Sequence, residues 1–552
     1  MEFYLRVEGV NLGNFVYDTS DLATIRGGSL LLLDAMDIVE EEIITHILQP
    51  KRTALQKQLD HCIAELNKVK REKTRLKEEK NRLKKDLKKG IGNYTITKGA
   101  SWGLFKFQAG LDEALVLEKA VKDRFNNDNQ YKHACFVVNV YSPEQKNETY
   151  QVSRAKVQTL NRRQQLMEPS IAISLKGNEA CAIDKIRPSE SKEHLPGTQE
   201  KDYISKSVSV RREYGKDVKK SGRFYSNRTN NSRFSNLSPT KDLSQLCHCK
   251  NNLHHSHLKN KMAFIYIDGN EFGKKQQRCK DSQEQRMFDR RVREGRDHLL
   301  NALLLEITRD NTDEKWFNGQ LLRLETLLWG GDEIIWVVPA WQGWWMLKRF
   351  YQLANQHIYL ESKNGNREDL YHGASIVFCK HKTPIRTIDS LARKLADNFA
   401  KTKGLKKKNM VAYQILESFD HAGANISEYR RMLIDGLSEN DQDLLIPAEE
   451  MQNIENGICE LKALEFPRRK IHQIVHCYRN ENSCKAAELI KKICNESPHD
   501  SDHEKKLKQN INRLLDQFKT IFTNSPVFWI HLLELWDYVG FEPVESGLKE
   551  EV

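Results

Sequence analysis

The chain has 552 residues and carries 88 Lys and Arg against 76 Asp and Glu, a net charge of +12. Hydrophobic residues make up 39% and charged residues 30%, and the mean hydropathy of −0.67 is too apolar for general disorder. The longest apolar run near the start, Leu30 to Leu33, is far short of the ~20 residues of a membrane span. A protein of about three or four domains without a membrane partner, cytoplasmic because MEFYLRVEGV is no signal peptide, is therefore expected.

Taken in chain order, residues 2–10 (EFYLRVEGV) alternate like a strand. Gly27-Gly28 reads as a turn, with Ser29 capping a helix that runs to Leu48. Pro50 interrupts, and a basic helix follows to about Lys89. Leu59, Leu66 and Leu87 share one heptad row in it, and Cys62, Val69, Leu76 and Leu83 the other. Lys73 and Lys80 break the first row, so a coiled-coil-like arm against nucleic acid or a partner competes with a solvated hairpin. Two short strands, Tyr94–Lys98 and Trp102–Gln108, a helix from Leu111 to Phe125 and a strand over His133–Tyr141 complete the order of a ferredoxin-like palm.

Residues 161–260 change to Ser, Asn, Lys and Arg and read as a poorly packed basic connector. Tyr203, Tyr214, Phe224 and Tyr225 stand there among charges, as residues that stack on bases do. The positive charge is concentrated in two places. Residues 51–90 hold 15 basic against 6 acidic residues, and residues 201–240 hold 10 against 3. Both segments are candidate contacts for RNA or DNA. Eleven scattered cysteines, an odd number, argue for reduced thiols. Cys247 and Cys249 are followed by His254, His255 and His257, but one intervening residue is fewer than zinc pairs usually have, so a polar loop is the main reading.

From Met262 the palm order returns. MAFIYID is a buried strand, Glu284–Ile307 a helix, LLRLETLLW and IIWVVPA a strand pair, and Trp341–Tyr359 a helix. SIVFCK, a helix over Ile385–Lys403 and a strand over Met410–Ile415 follow. Beyond about Asn425 a 3.6 period dominates. The expectation is an α+β protein: a first palm at 1–160 with a helical insertion at about 50–90, a connector at 161–260, a second palm at 261–420 and a helical domain at 421–552.

Two segments of the second palm carry chemistry. Asp268-Gly269-Asn270 ends a hydrophobic strand, and Gly330-Gly331-Asp332-Glu333 makes a turn with its aspartate 64 residues downstream. Carboxylates brought together at neighbouring strand ends repel unless a cation neutralises them. Magnesium, or manganese, takes hard oxygen ligands and bridges nucleotide phosphates. Asp268 and Asp332 are thus the expected catalytic and metal-binding carboxylates of a two-metal phosphoryl transfer, and Gly269 lets its carbonyl approach the ion and phosphates.

IYIDGNEFGK together with LLWGGDEIIWVVP resembles the catalytic palm of the large subunit of type III CRISPR effectors, a relative of GGDEF diguanylate cyclases and class III nucleotide cyclases. SIVFCKHKTPIRTIDSLARKLADNFAKTKG, ending in Ala400-Lys401 with Lys408-Asn409 beyond, and DTSDLATIRGGSLLLLDA near the start are similar to further motifs of that subunit. The resemblance implies a nucleotidyltransferase that makes a cyclic oligonucleotide from ATP in antiviral defence, as a homodimer or within an effector complex. It places Lys401 on the triphosphate, with Lys382 as a further phosphate candidate and Gly269, Asn270, Phe272, Gly330 and Gly331 around the nucleotide. Asn270-Glu271 replaces the family's common Asp-Asn. Glu333 stands where the family has a second aspartate and the diguanylate cyclases have Glu, so the resemblance implies a catalytic and metal-binding role for it too. The HD nuclease domain common in the family is not expected: the one His-Asp step is His499-Asp500, in a polar stretch. The alternative to an enzyme is a catalytically silent scaffold that binds nucleic acid within a CRISPR-like complex.

Overall fold

The computed structural model describes all residues except 69–92, 146, 168–178, 196–197, 221, 250–254, 311–312, 362–364, 418–424, 439, 481–482, 496–504, 507, 514–524 and 541–552. It is a mixed α+β structure of two compact units. The first holds Met1–Val218, Gly273–Glu294 and Leu328–Gly331, and the second Lys219–Phe272, Gly295–Leu327 and Asp332–Val552.

In the first unit, strand β1 (Glu2–Val10) lies between β3 (Trp102–Gln108) and β4 (Cys135–Tyr141), and β2 (Thr95–Lys98) forms the edge beyond β3. All pairs are antiparallel, with Leu5 opposite both Phe105 and Val140. Helices α3 (Leu111–Asn127) and α4 (Tyr150–Met167) pack on β4 through apolar stripes that include Leu117, Val121 and Val157. The strand, helix, strand, strand, helix, strand order read from the sequence is therefore present.

Helix α1 differs from expectation. It runs over Leu22–Ile43, capped by Asp21, whose carboxylate accepts from the Thr24 backbone N–H at 3.0 Å. Gly27 and Gly28 lie inside it rather than in a turn, and Ser29 is a buried helical residue. A Cβ on Gly27 would stand 1.7 Å from the Arg211 carbonyl oxygen, and one on Gly215 would stand 2.1 Å from that of Ala23. The glycines permit α1 and α5 (Lys206–Lys220) to cross backbone on backbone. A π-helical turn at Ile44–Leu48 absorbs Pro50, and α2 (Gln49–Lys68) continues. Leu59 and Cys62, one from each predicted heptad row, are buried there, while the rest of the basic arm lies outside the described residues.

The connector is also folded where it is described. Ser191–His194 pairs with Lys201–Ile204, and α5 follows. Arg187 and Arg211 are fully buried on the Asp18 carboxylate, with Arg211 Nη2 at 2.8 Å and Asp184 a further partner of Arg187 at 2.7 Å. Tyr214 donates to Asp34, and Tyr225, in the second unit, is buried with its hydroxyl near Thr326 at 3.2 Å. The segment was read as a poorly packed connector with residues 201–240 as a candidate nucleic-acid contact; Arg211 and Tyr225 of that segment are instead buried. Tyr203 remains exposed.

In the second unit the sheet order is β6 (Glu325–Trp329), β7 (Glu333–Pro339), β5 (Lys261–Gly269), β8 (His372–Lys380), β9 (Met410–Ile415), β10 (Leu445–Pro447). Its first four strands repeat the order of the first unit's sheet. Strands β8 and β9 pair in parallel, as a strand joined through a crossover helix must. Eight of the nine residues of β5 are buried, the apolar run of a strand covered on both faces. Helices α7 (Ala340–His357) and α8 (Ile385–Leu395) both pack on it. The region beyond residue 421 is helical as expected, but Leu445–Pro447 adds a strand to this same sheet. Lys348 of α7 also reaches Glu455 at 2.6 Å, within the same compact unit.

Candidate active site

Strand β5 delivers Asp268 and Gly269 to one end of the sheet. Glu333 lies directly opposite Asp268 on β7, and Gly373 directly opposite it on β8. The Gly269 N–H donates to the Asp332 carbonyl at 3.1 Å, so the turn that ends in Asp332 closes onto the end of β5. Asp268 and the consecutive Asp332-Glu333, 64 residues further along the chain, are thereby brought together.

Lys401 reaches the same point. It follows α8 and the π-helical turn Ala396–Ala400, and its Nζ donates to Asp268 Oδ2. The path depends on Gly373, because a Cβ there would stand 2.3 Å from Lys401 Cγ. Arg393, one helix earlier, bonds both oxygens of Glu333 at 3.3 Å and those of Asp389 at 3.1 Å. Its guanidinium also lies 4.7 Å from the centroid of the Tyr266 ring. The Tyr266 hydroxyl donates to Glu333 at 3.2 Å.

The electrostatics follow. Burial, and then the neighbouring Asp332 charge, push the Asp268 carboxyl up to about 7, against the opposing pull of Lys401. Burial and Glu333 also raise the Asp332 carboxyl. His372, opposite Gly269, is pushed down to about 3 by burial and by Arg296 and Lys401, so it is neutral at ordinary pH. Its ring meets Phe272 and Phe350 edge-on, each at 5.3 Å.

Asn270 is 3% exposed, and its Nδ2 donates to the Lys408 carbonyl at 3.2 Å. Its Oδ1 is buried without a partner, 3.3 Å from where a Gly373 Cβ would stand. A buried acceptor left unsatisfied costs about 1–3 kcal/mol. With two raised carboxyls beside it, the site has acceptor capacity that protein donors do not fill. Among the described residues no three His, Cys, Asp or Glu side chains stand close enough to enclose a metal ion. The donor set still fits magnesium, which binds through one or two carboxylates and completes its shell with water and phosphate oxygens.

The other expected residues fall as follows. Phe272 is buried and would be 2.6 Å from a Gly269 Cβ, so it supports the turn after β5 from below. Gly330 and Gly331 form the turn between β6 and β7. Lys382 is separated from the site: β8 begins at His372 beside Gly269 and ends at Lys380 beside Lys261, so Lys382 lies beyond the opposite end of the sheet. Cys247 and Cys249 are buried, their thiols pushed up chiefly by burial, and Arg323 donates to the Leu246 and His248 carbonyls at 2.6 and 2.7 Å. His255 stacks on Trp341 at 4.5 Å. Cys181 packs with Ile204 and Val208. No metal-binding group forms among these described residues; His254, His499 and Asp500 lie outside them. Tyr266, Arg393 and His372 were not anticipated. The Asp389–Arg393 spacing of four on a helix was the available signal for Arg393.

No protein-family model matches the sequence, and no curated protein matches it. Solved structures do match. A Csm1–Csm4 cassette in complex with AMPPNP aligns at a TM-score of 0.51 with 10% identity over 97% of this chain and 69% of that one. The same cassette in complex with one ATP aligns at 0.50 with 10% identity, over 98% of this chain and 70% of that one. The chain has the fold of the large subunit of type III CRISPR effectors. The apo cassette aligns at 0.50 and 10% identity over the same 97% and 69%. At this identity the likeness is one of fold, and it extends across both units of the chain. No helix among the described residues is long and apolar enough to cross a membrane.

Proposed function

We propose that the chain is a nucleotidyltransferase that joins ATP into a cyclic oligonucleotide by metal-dependent phosphoryl transfer, as a subunit of a type III CRISPR-like antiviral effector. In this reading both sheets are ferredoxin-like palms, and the second is catalytic. The observation that carries it is the meeting of Asp268, Asp332 and Lys401 at the end of β5, next to the unpartnered Asn270 oxygen. The fold is shared with cassettes solved in complex with AMPPNP, one ATP and cA3, which supports adenine nucleotides as the ligand class.

Asp268 and Asp332 would hold the cation, with the Gly269 carbonyl beside them. Magnesium or manganese held there would neutralise the carboxylates and supply the Lewis acidity that activates an attacking hydroxyl and stabilises pyrophosphate. Lys401, whose ammonium lies at Asp268, would hold the triphosphate. Glu333, Asp389 and the Tyr266 ring hold Arg393 as a second fixed positive charge at the same strand end. Neutral His372 and Phe272 form a wall that excludes water without adding charge. The 3′-hydroxyl of one nucleotide attacks the α-phosphate of the next, pyrophosphate leaves, and ring closure repeats the step.

The scaffold reading has one observation in its favour: Lys401 and Arg393 already neutralise Asp268 and Glu333 from within the chain. Incubation of the purified protein with each labelled nucleoside triphosphate and Mg²⁺ or Mn²⁺, with and without RNA, separates the two. A cyclic or oligomeric product that Asp332→Ala abolishes is expected. Product from wild type and Asp332→Ala alike would refute the site, and no product under any condition would favour the scaffold.

A further inference from the structure

Glu333 stands directly opposite Asp268, on the sheet face that also carries Tyr266, two residues earlier on β5. Its oxygens are used differently from those of its neighbour Asp332. Arg393 Nη1 reaches both oxygens of Glu333 at 3.3 Å, and the Tyr266 hydroxyl reaches one at 3.2 Å. A carboxylate offers about four lone-pair positions, so little acceptor capacity is left on Glu333 for a cation. The Asp332 carboxylate, by contrast, accepts from no other residue among the described ones.

Arg393 is held in turn by Asp389, one helical turn earlier at 3.1 Å, and by the Tyr266 ring, whose centroid lies 4.7 Å away. Two carboxylates offset its charge, so its part in the site is chiefly to fix position. The chain continues from Arg393 through the end of α8 and the π-helical turn Ala396–Ala400 to Lys401, whose N–H donates to the Ala396 carbonyl at 2.9 Å. The Glu333–Arg393 pair therefore pins to β7 the continuous helical segment that ends in Lys401.

The first unit repeats this scaffold with different side chains. Glu8 of β1 takes the place of Asp268, and Trp102 of β3 stands directly opposite it as Glu333 does opposite Asp268. The Gly9 N–H donates to the Ser101 carbonyl at 2.7 Å, as that of Gly269 does to Asp332. Serine there removes the open carboxylate, yet the next residue still holds an arginine: the Arg6 guanidinium lies 5.1 Å from the centroid of the Trp102 ring. In both units the residue after the turn grips an arginine, whether or not the residue before it carries a carboxylate.

We propose, resting on the functional reading above, that Glu333 lies outside the cation's ligand set and is a positioning residue. With Arg393 it fixes Lys401 for the nucleotide phosphates, while Asp268 and Asp332 alone supply the carboxylates that hold the metal. The last residue of the GGDE turn thus serves nucleotide affinity rather than metal affinity.

The test measures the two affinities separately on the full chain. Mg²⁺ binding is read from the rise in urea stability with Mg²⁺ concentration. Nucleotide binding is read by calorimetric titration in Mg²⁺ with α,β-methylene-ATP, which cannot react at its α-phosphate. Glu333→Gln/Arg393→Gln removes the pair without changing the net charge, and is compared with Asp332→Asn and Lys401→Met. The pair variant is expected to keep its Mg²⁺ affinity within about threefold of wild type. Asp332→Asn is expected to lose at least about tenfold. The pair variant should bind the nucleotide at least about tenfold more weakly, and lose nothing further when combined with Lys401→Met. Circular dichroism checks folding; if the pair variant does not fold, Arg393→Lys, which keeps the charge but not the fork spanning Glu333 and Asp389, should show the same split. A loss of Mg²⁺ affinity equal to that of Asp332→Asn, an unchanged nucleotide affinity, or a loss that adds to that of Lys401→Met overturns this proposal alone. Wild type that binds neither ligand refutes the functional reading, and this proposal with it.

Discussion

Replacing Asp268 by asparagine should stabilise the protein while abolishing its proposed activity. The Asp268 carboxyl is held at about 7 instead of the ordinary 3.8, first by burial and then by the Asp332 charge. Near pH 4 and below, the folded chain keeps this group neutral at little cost. As the pH rises through the ordinary carboxylate range, the unfolded chain ionises while the folded one still binds a proton, so stability falls until about pH 7 and is flat above. At about 1.4 kcal/mol per unit, the shift corresponds to a loss of up to about 4 kcal/mol. The amide introduced by Asp268→Asn has the shape of the neutral acid and none of this dependence. Urea unfolding without divalent metal, followed through the buried Trp336 and Trp344, should show the variant more stable near pH 8 and the advantage vanishing near pH 4. Added Mg²⁺ should stabilise wild type and leave the variant unchanged, closing part of the gap. A variant no more stable than wild type near pH 8 would refute the carboxylate cluster.

Three further outcomes follow from the geometry. Gly27→Ala, which in an ordinary helix gains about 1 kcal/mol, should instead cost at least about 3 kcal/mol in urea melts, since its Cβ meets the Arg211 carbonyl at 1.7 Å. Lys401→Met should weaken ATP binding in isothermal titration at least tenfold, and Gly373→Ala should do the same by displacing the Lys401 stem. Lys382→Ala should leave ATP affinity within twofold of wild type, because Lys382 lies past the far end of β8.

The parts of the site legible in the sequence were those written locally. MAFIYID ends in a carboxylate and a glycine, and GGDE sits between two apolar runs; alternation and turn chemistry are enough to set both at strand ends. Lys401 was reached through family resemblance, and the reason it can extend to Asp268, the missing side chain of Gly373, is visible only once β8 is paired with β5. Lys382 shows a signal left unused: β8 runs away from the site, so a lysine after its C-terminal end is remote whatever its chemistry. Gly27-Gly28 was misread because glycine serves both turns and close helix crossings, and its partner Arg211 lies more than 180 residues away. The same distance hid the packing of the basic connector. Arg187 and Arg211 look solvated until Asp18 is set between them, and nothing local announces that pairing.

The pairing of β5 has a consequence for how the chain is made. The strand that bears Asp268 leaves the ribosome before either of its neighbours, and β8, whose whole length it matches, ends about 110 residues later. At about 5–20 residues per second, synthesis leaves this apolar segment with both edges bare for several seconds. Its sequence, KMAFIYIDG, is of the kind that pairs readily with other extended chains. Slowing or stalling translation between residues 270 and 380 should therefore lower soluble yield more than the same pause placed after β8 is complete, and chaperone demand should concentrate in that interval.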